Sequence, residues 1–469
     1  MSNSDYTLEA GWAPLRKLVE EECRQAVEEG KDPAAVEALR QELAATPEER
    51  AALEALYQRL VALPVRPGFP FHEPSGLAEI ISLREEAAAL PDPADIDPSR
   101  LEDQLHGAWL GRCVGCALGK PVEEMMLGCE GMPSWQRLKA YLTSHSPTLW
   151  PLGDYIPASL PGAPAPLRTI CPASTREAIA FMESDDDIRY TVLGQILLEK
   201  HGAGFGTHHV AQGWLEHLPY RMVATAETQA YRNIVSLGAF RLENGEAIDW
   251  EALATRLNPY REWIGAQIRV DSYGYAAAGQ PDLAAEWAWR DARLSHTKNG
   301  IYGAMFCAAM IAAAFVTPEP RQIVEAGLAR IPQTSRLYRE LRQVIALCDS
   351  HGCAFEAFEA VLTGVHALLG HYPPVHTNNN AALCVAALLL SGGDFHRGIT
   401  LAVMGGWDTD CNGATVGSIV GAICGAKRAP AFWTGRLQDT LQAAIIGYHP
   451  VAISECARRA AQIARRIAR

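Results

Sequence analysis

The chain has 469 residues, of which 48% are apolar, 20% charged and 8% aromatic, a composition that excludes a disordered chain, a collagen and a coiled-coil rod. Its 41 Lys and Arg against 54 Asp and Glu leave a formal charge of −13, which disfavours general association with nucleic-acid phosphates or anionic membranes. No run of about 18 apolar residues offers a membrane span.

The opening residues are polar, and Arg16 and Lys17 interrupt the first apolar stretch, so no secretory signal is expected. A cytoplasmic location with reduced cysteines follows from that reading. Leu15, Leu18, Val19, Cys23, Ala26 and Val27 recur at intervals of three and four and predict a helix. Thr46, Pro47 and Glu49 read as a capping box ahead of a second apolar series, Leu53, Leu56, Tyr57, Leu60 and Val61. Pro64, Pro67, Pro70 and Pro74 form a connector, a short helical piece is expected over residues 77–90, and Pro91, Pro93 and Pro98 follow. The expected organisation is a helical N-terminal appendage with its Pro-rich connector over residues 1–98, then one all-α domain over residues 99–469.

Within that domain the apolar faces have helical spacing: Leu193, Ile196 and Leu197; Ala304, Ala308, Ile311, Ala312 and Phe315; Ala382, Val385, Ala386, Leu389 and Leu390. Strand-like alternation and βαβ spacing are missing, which predicts a compact multi-helix bundle. Residues 143–175 hold seven prolines, from Pro147 to Pro172, and are expected to form a lid. Cys113 and Cys116 make a CxxC without a matching second pair, so zinc or redox use is not expected. Gly202, Gly204 and Gly206 suit either a turn or a backbone approach to a diphosphate. The C-terminal Arg458, Arg459, Arg465, Arg466 and Arg469 are read as cations complementing a helix C-terminus.

Asp185, Asp186 and Asp187 stand consecutively at the start of an apolar helix. One acid there caps amides and meets the positive end of the dipole; three repel one another unless a cation joins them. A second acidic group, Asp408 and Asp410 in a Gly-led turn, precedes a helix of small residues with Gly413, Gly417, Gly421 and Gly425. Glycine costs about 1 kcal/mol in a helix interior relative to alanine, so close packing must compensate, and it would bury the carboxylates. Five aspartates are hard-oxygen ligands suited to Mg²⁺, Mn²⁺ or Ca²⁺, and two clusters suggest two ions that together activate a water.

The strings GAWLGRCVGCALGKPVE (residues 107–123), DDDIRY (185–190), SHTKNGIYGA (295–304) and GGWDTDCNGATVGSIVGAICG (405–425) together resemble the ADP-ribosylglycohydrolase family, which includes dinitrogen reductase-activating glycohydrolase and ADP-ribose-protein hydrolases. The resemblance spans about residues 99–447, in the family's motif order. It implies an all-α orthogonal bundle with a binuclear centre of two divalent cations, Mg²⁺ ahead of Mn²⁺, that cleaves the bond between ribose and an acceptor. It places metal ligands at Asp185, Asp186, Asp187, Asp408, Asp410 and Cys411. Asp185 then stands where the family has threonine; an alternative register starting at Ser184 keeps the hydroxyl but puts Arg189 where Tyr190 would otherwise fill the apolar position. Cys411 replaces a threonine and Cys116 an aspartate, two losses of oxygen, for the first of which Asn412 or a water could substitute. Glu123 and Asp186 are the expected catalytic residues. Glu123, His296, Asn412 and Asp271 are the expected substrate contacts, with structural roles standing beside them for His296 and Asp271.

The expected activity is hydrolysis of the ribosyl bond of ADP-ribosylated protein, nucleic acid or small molecule. Two rivals share the scaffold: a non-catalytic ADP-ribose or nucleotide binder, given Cys116 and Cys411, and an N-ribosyl hydrolase of a small metabolite. An isoprenoid-synthase reading of the aspartates fails because Arg189 stands where DDxxD needs an acid.

Overall fold

The protein is described by a computed structural model covering residues 11–127, 131–158, 169–237 and 247–467. Gly107, Gly111, Gly115 and Gly119 recur every fourth residue on the Pro98–Gly119 helix, and Gly413, Gly417 and Gly421 do so on the Thr409–Cys424 helix. Residues four apart share a helix face, so each helix presents a strip of bare backbone. The strips meet antiparallel, Gly107 against Gly421, Gly111 against Gly417, Gly115 against Gly413 and Gly119 against Thr409. A Cβ on Gly115 would lie 1.9 Å from the Gly413 oxygen, and one on Gly111 2.0 Å from that of Gly417. The approach is backbone to backbone, and Thr409 Oγ1 pins the end of it by donating to the Gly119 carbonyl at 2.9 Å.

Around this pair lie the Asp186–His201, Lys298–Ala313, Thr377–Ser391 and Phe395–Met404 helices, largely buried. The only strands among the described residues are Thr440–Leu441 and Val451–Ala452, paired antiparallel. The all-α architecture expected from the sequence is the one found. Among the described residues no single helix is long and apolar enough to cross a membrane, and no disulfide links the described cysteines.

The N-terminal helices Leu15–Glu28, Pro33–Ala45 and Arg50–Val61 share a small core of Val19, Cys23, Val36, Leu43, Leu53 and Leu60. They are tied to the larger body by charge as well as packing. Arg261, 3% exposed, pairs with Glu22 at 2.7 Å and Glu29 at 2.8 Å. The connector contributes Glu73, which meets Arg336 at 2.8 Å, and Arg336 also holds Glu262 at 2.7 Å. Removing one member of such a buried pair strands the other, at about 3–5 kcal/mol.

Two local expectations need correction, and the structure adds detail to others. No capping box forms at Thr46: that residue ends the Pro33–Ala45 helix, its hydroxyl donates to the Glu42 carbonyl, and the next helix starts at Arg50. The piece expected over residues 77–90 is only Leu77–Ser82. The described parts of the proline-rich segment are anchored: Leu152, Tyr155 and Ile156 are buried, and Tyr155 donates to the Trp433 carbonyl. Residues 159–168 of that expected lid lie outside the described residues. Gly202 ends one helix at φ +61° and Gly206 caps the next, so these glycines form a turn. In the Ile453–Ile467 helix, Arg459 pairs with Glu199 and Arg465 with Glu102, so carboxylates from other helices meet part of the basic C-terminus.

Candidate metal centre and its cavity

The glycine contact sets the site, because it brings the C-terminal end of one helix against the acidic N-terminal end of the other. Cys116 stands one turn before Gly119, and Asp408 and Asp410 flank Thr409. The Asp186–His201 helix delivers the third group: Asp185 is its N-cap and accepts from the Asp187 amide at 3.0 Å. Ligand atoms of Cys116, Asp185, Asp187 and Asp410 lie within 4.8 Å of one another, as do those of Asp408, Asp410 and Cys411. Asp410 belongs to both groups.

Two buried cations, neither assigned a role from the sequence, organise the acids. The Lys120 ammonium sits 2.5 Å from Asp185 Oδ2 and donates to the Ser184 carbonyl at 3.0 Å. Arg112, wholly buried, donates to Thr191 Oγ1 at 2.7 Å, to the Asp187 carbonyl at 2.8 Å and to the Ile268 carbonyl at 2.6 Å. It also meets Asp187 Oδ1 at 3.3 Å and Asp271 Oδ2 at 2.9 Å. Both are members of the first glycine motif: Arg112 lies within the helix that makes the close contact and Lys120 caps its C-terminal end.

The electrostatics divide the carboxylates. Burial alone would raise Asp185, but the Lys120 ammonium holds it well below the usual carboxylate range. Burial, helped by Asp185, lifts Asp186 to about 6 and Asp410 to about 7. Asp187 is raised by burial against the opposing pull of Arg112, and Asp408 by burial and the Asp410 charge. Glu123 is pushed up chiefly by Asp410, then by burial. A set of buried acids raised this way is short of positive charge.

The residues fit a divalent cation on a direct structural ground. Asp187 Oδ2, Asp408 Oδ1 and Asp410 Oδ1 are buried and have no hydrogen-bond partner. Buried carboxylate oxygens left unpaired are rare unless an ion takes them.

The acids floor a cavity of ≈ 470 Å³ lined by Glu123, Asp186, Asp408, Asp410 and Cys411. Its walls are apolar, from Trp263, Ile264, Ile268 and Val375, and Ile170 reaches it from the proline-rich segment. Glu227 lines it as well, paired with Arg269 and raised to about 7 by burial. Trp12 and Arg24 of the N-terminal part complete the wall. Arg24, Leu127, Pro373 and Pro374 also border a second cavity of ≈ 770 Å³, so the two adjoin.

Three expected substrate contacts stand elsewhere. The Asn412 amide is engaged, donating to Asn380 Oδ1 at 2.8 Å and accepting from Cys384 Sγ at 3.5 Å, which ties two helices together. His296 is fully buried beside Ser295 Oγ at 2.8 Å, held neutral by burial and by Arg269, and does not line the cavity. Asp271 is buried as the partner of Arg112, also away from the lining. Tyr190 is buried against Trp214, and Arg189 donates to Ser184 Oγ at 3.1 Å, so that hydroxyl already has a partner. Lys120, Arg112, Glu227, Trp12 and Arg24 were missed. A charge inside an otherwise apolar, glycine-spaced helix was the available signal for Arg112; for Glu227, Trp12 and Arg24 there was none.

A family profile described as ADP-ribosylglycohydrolase matches residues 97–467. One solved structure, described as an ADP-ribosylglycohydrolase-related protein complex, is 21% identical, with a TM-score of 0.46 over 79% of this chain and 99% of that one. No curated protein matches the chain.

Proposed function

The chain belongs to the ADP-ribosylglycohydrolase family, and from that membership we propose that it is a divalent-cation-dependent hydrolase of ribosyl bonds in ADP-ribosylated substrates. The observation that carries the reading is the convergence of three buried carboxylates with an unpartnered oxygen: Asp408 and Asp410 at the floor of the cavity, and Asp187 grouped with Asp410 behind them. Cations bound there would supply Lewis acidity, lower the pKa of a water and orient vicinal hydroxyls.

The chain's own groups divide the remaining work. Asp186, Asp408 and Asp410 bind and orient from the floor. Lys120 fixes Asp185, and Arg112 fixes Asp187 from behind, so that neither swings when charge changes. Glu123 faces the same cavity and carries the proton, because the Asp410 charge and burial raise its carboxyl group above the usual range and so favour the protonated form that can donate. The apolar walls exclude water from the scissile bond. Persistence of Glu123 and all five aspartates favours turnover over simple binding.

The test is release of ADP-ribose by the purified full chain from arginine-linked, serine-linked and DNA-linked substrates, with and without divalent cations. Metal-dependent release from at least one substrate is expected. Tight ADP-ribose binding with no release from any of them would replace the hydrolase reading with a binding one, and metal-independent release would overturn the role of the centre.

Cation affinity will depend on pH. Asp186 and Asp410 lie at about 6 and about 7 in the metal-free protein, so protons occupy them below those values and must leave when an ion binds. Calorimetric titration with Mn²⁺ should show affinity that rises with pH between 5.5 and 8. It should fall about tenfold per unit for each displaced proton as pH drops through 7 and 6. Affinity unchanged between pH 8 and pH 5.5 would contradict the assignment.

A further inference from the structure

Each of the two ligand groups contains one cysteine, Cys116 in the first and Cys411 in the second, and Asp410 belongs to both. We propose that both sulfurs enter the metal centre as thiolate ligands, so that the chain selects a thiophilic divalent cation, of the Zn²⁺, Co²⁺ or Fe²⁺ type, over Mg²⁺. The inference rests on the metal-centre reading above and departs from the Mg²⁺ that an all-oxygen site would prefer.

Geometry is the first support. Donor atoms on opposite sides of one ion, at about 2.0–2.3 Å each, are about 4–4.6 Å apart, and both groups fall within 4.8 Å. The availability of donors is the second. Asp185 looks like the leading oxygen ligand in sequence, but its Oδ1 accepts from the Asp187 amide and its Oδ2 is held by Lys120. The first group is therefore left with Asp187 Oδ2, Asp410 and the Cys116 sulfur. Asp187 and Asp410, the carboxylates grouped with Cys116, each keep one buried oxygen without a hydrogen-bond partner.

A buried cysteine is ordinarily a small apolar side chain, and Cys113 shows what that looks like. It lies three residues earlier on the same helix, is equally buried, and belongs to no ligand group among the described residues. Cys116 instead faces three carboxylates. Binding forms a metal–sulfur bond and releases the thiol proton to solvent, with no change in oxidation state. Soft sulfur donors shift preference away from Mg²⁺, which demands six hard ligands and gives up its water reluctantly.

The experiment is anaerobic titration of the metal-free full chain with Co²⁺, followed by near-ultraviolet absorption for a sulfur-to-cobalt charge-transfer band and by calorimetry for binding. The wild-type spectrum decides first: saturable binding with the band is expected, and saturable binding without it would overturn the thiolate assignment while leaving the metal centre standing. Cys116→Ser and Cys411→Ser should each weaken the band, the double variant should lose it while still binding Co²⁺, and Cys113→Ala should retain it. The preference for Zn²⁺ over Mg²⁺ should fall at least tenfold in the double variant. A band that survives in the double variant would assign the sulfur to another cysteine and overturn the proposal. Failure of the wild-type chain to bind Co²⁺ at all would remove the metal-centre reading, and this inference with it.

Discussion

Asp410→Asn is expected to lower kcat/KM by about 10³-fold or more, a loss of roughly 4 kcal/mol of transition-state stabilisation. Asp410 is the one residue common to both ligand groups, so its change disables both at once, whereas an amide of the same shape leaves the packing intact. The same substitution should raise the melting temperature of the metal-free protein. The folded-state pKa of Asp410, about 7, lies above that of an exposed aspartate, so the metal-free fold loses stability as pH rises from about 4 through about 7. At pH 8 the neutral amide avoids that penalty. Kinetics with saturating cation and a thermal melt without it separate the two effects. Activity within tenfold of the wild type would remove Asp410 from the centre. A lower melting temperature would mean that the carboxylate is structurally paired in a way the geometry does not show.

The second large effect is on the fold. Gly115→Ala, a change that ordinarily stabilises a helix by about 1 kcal/mol, should here destabilise the protein by about 3 kcal/mol or more. Its new methyl would stand 1.9 Å from the Gly413 oxygen, and the obstacle is backbone, which cannot rotate away. Separating the helices to admit it would also move Cys116 and Lys120 relative to Asp410, so cation affinity should fall with stability. Gly204→Ala is the matched control: nothing lies within 4 Å of the added carbon, and a change within about 0.5 kcal/mol is expected. Denaturant unfolding of both variants at the same pH checks the contrast. Equal stability of Gly115→Ala and the wild type would mean that the two glycine strips do not touch.

Much of the site could be read because its signals are local. Three adjacent aspartates at a helix start, and two more before a run of evenly spaced glycines, are anomalies of charge and propensity that sequence displays directly. The partners of those aspartates could not be read. Lys120 reaches Asp185 across 65 positions and Arg112 reaches Asp187 across 75, and nothing in either neighbourhood announces the other. Asn412 failed for the same reason. Beside Asp410 it looked like a spare ligand, but its position on the helix turns the amide toward Asn380.

By itself, then, the sequence determined the helical class, the acidic helix starts and the glycine spacing, because periodicity and capping are short-range properties of consecutive residues. Only the tertiary structure decided which carboxylates are neutralised and which stay open, that Cys116 faces three of them, and that Trp12 and Arg24 close the cavity from outside the family match. Those outcomes depend on how far apart and at what rotation distant helices settle. Here the backbone contact between two glycine strips sets both.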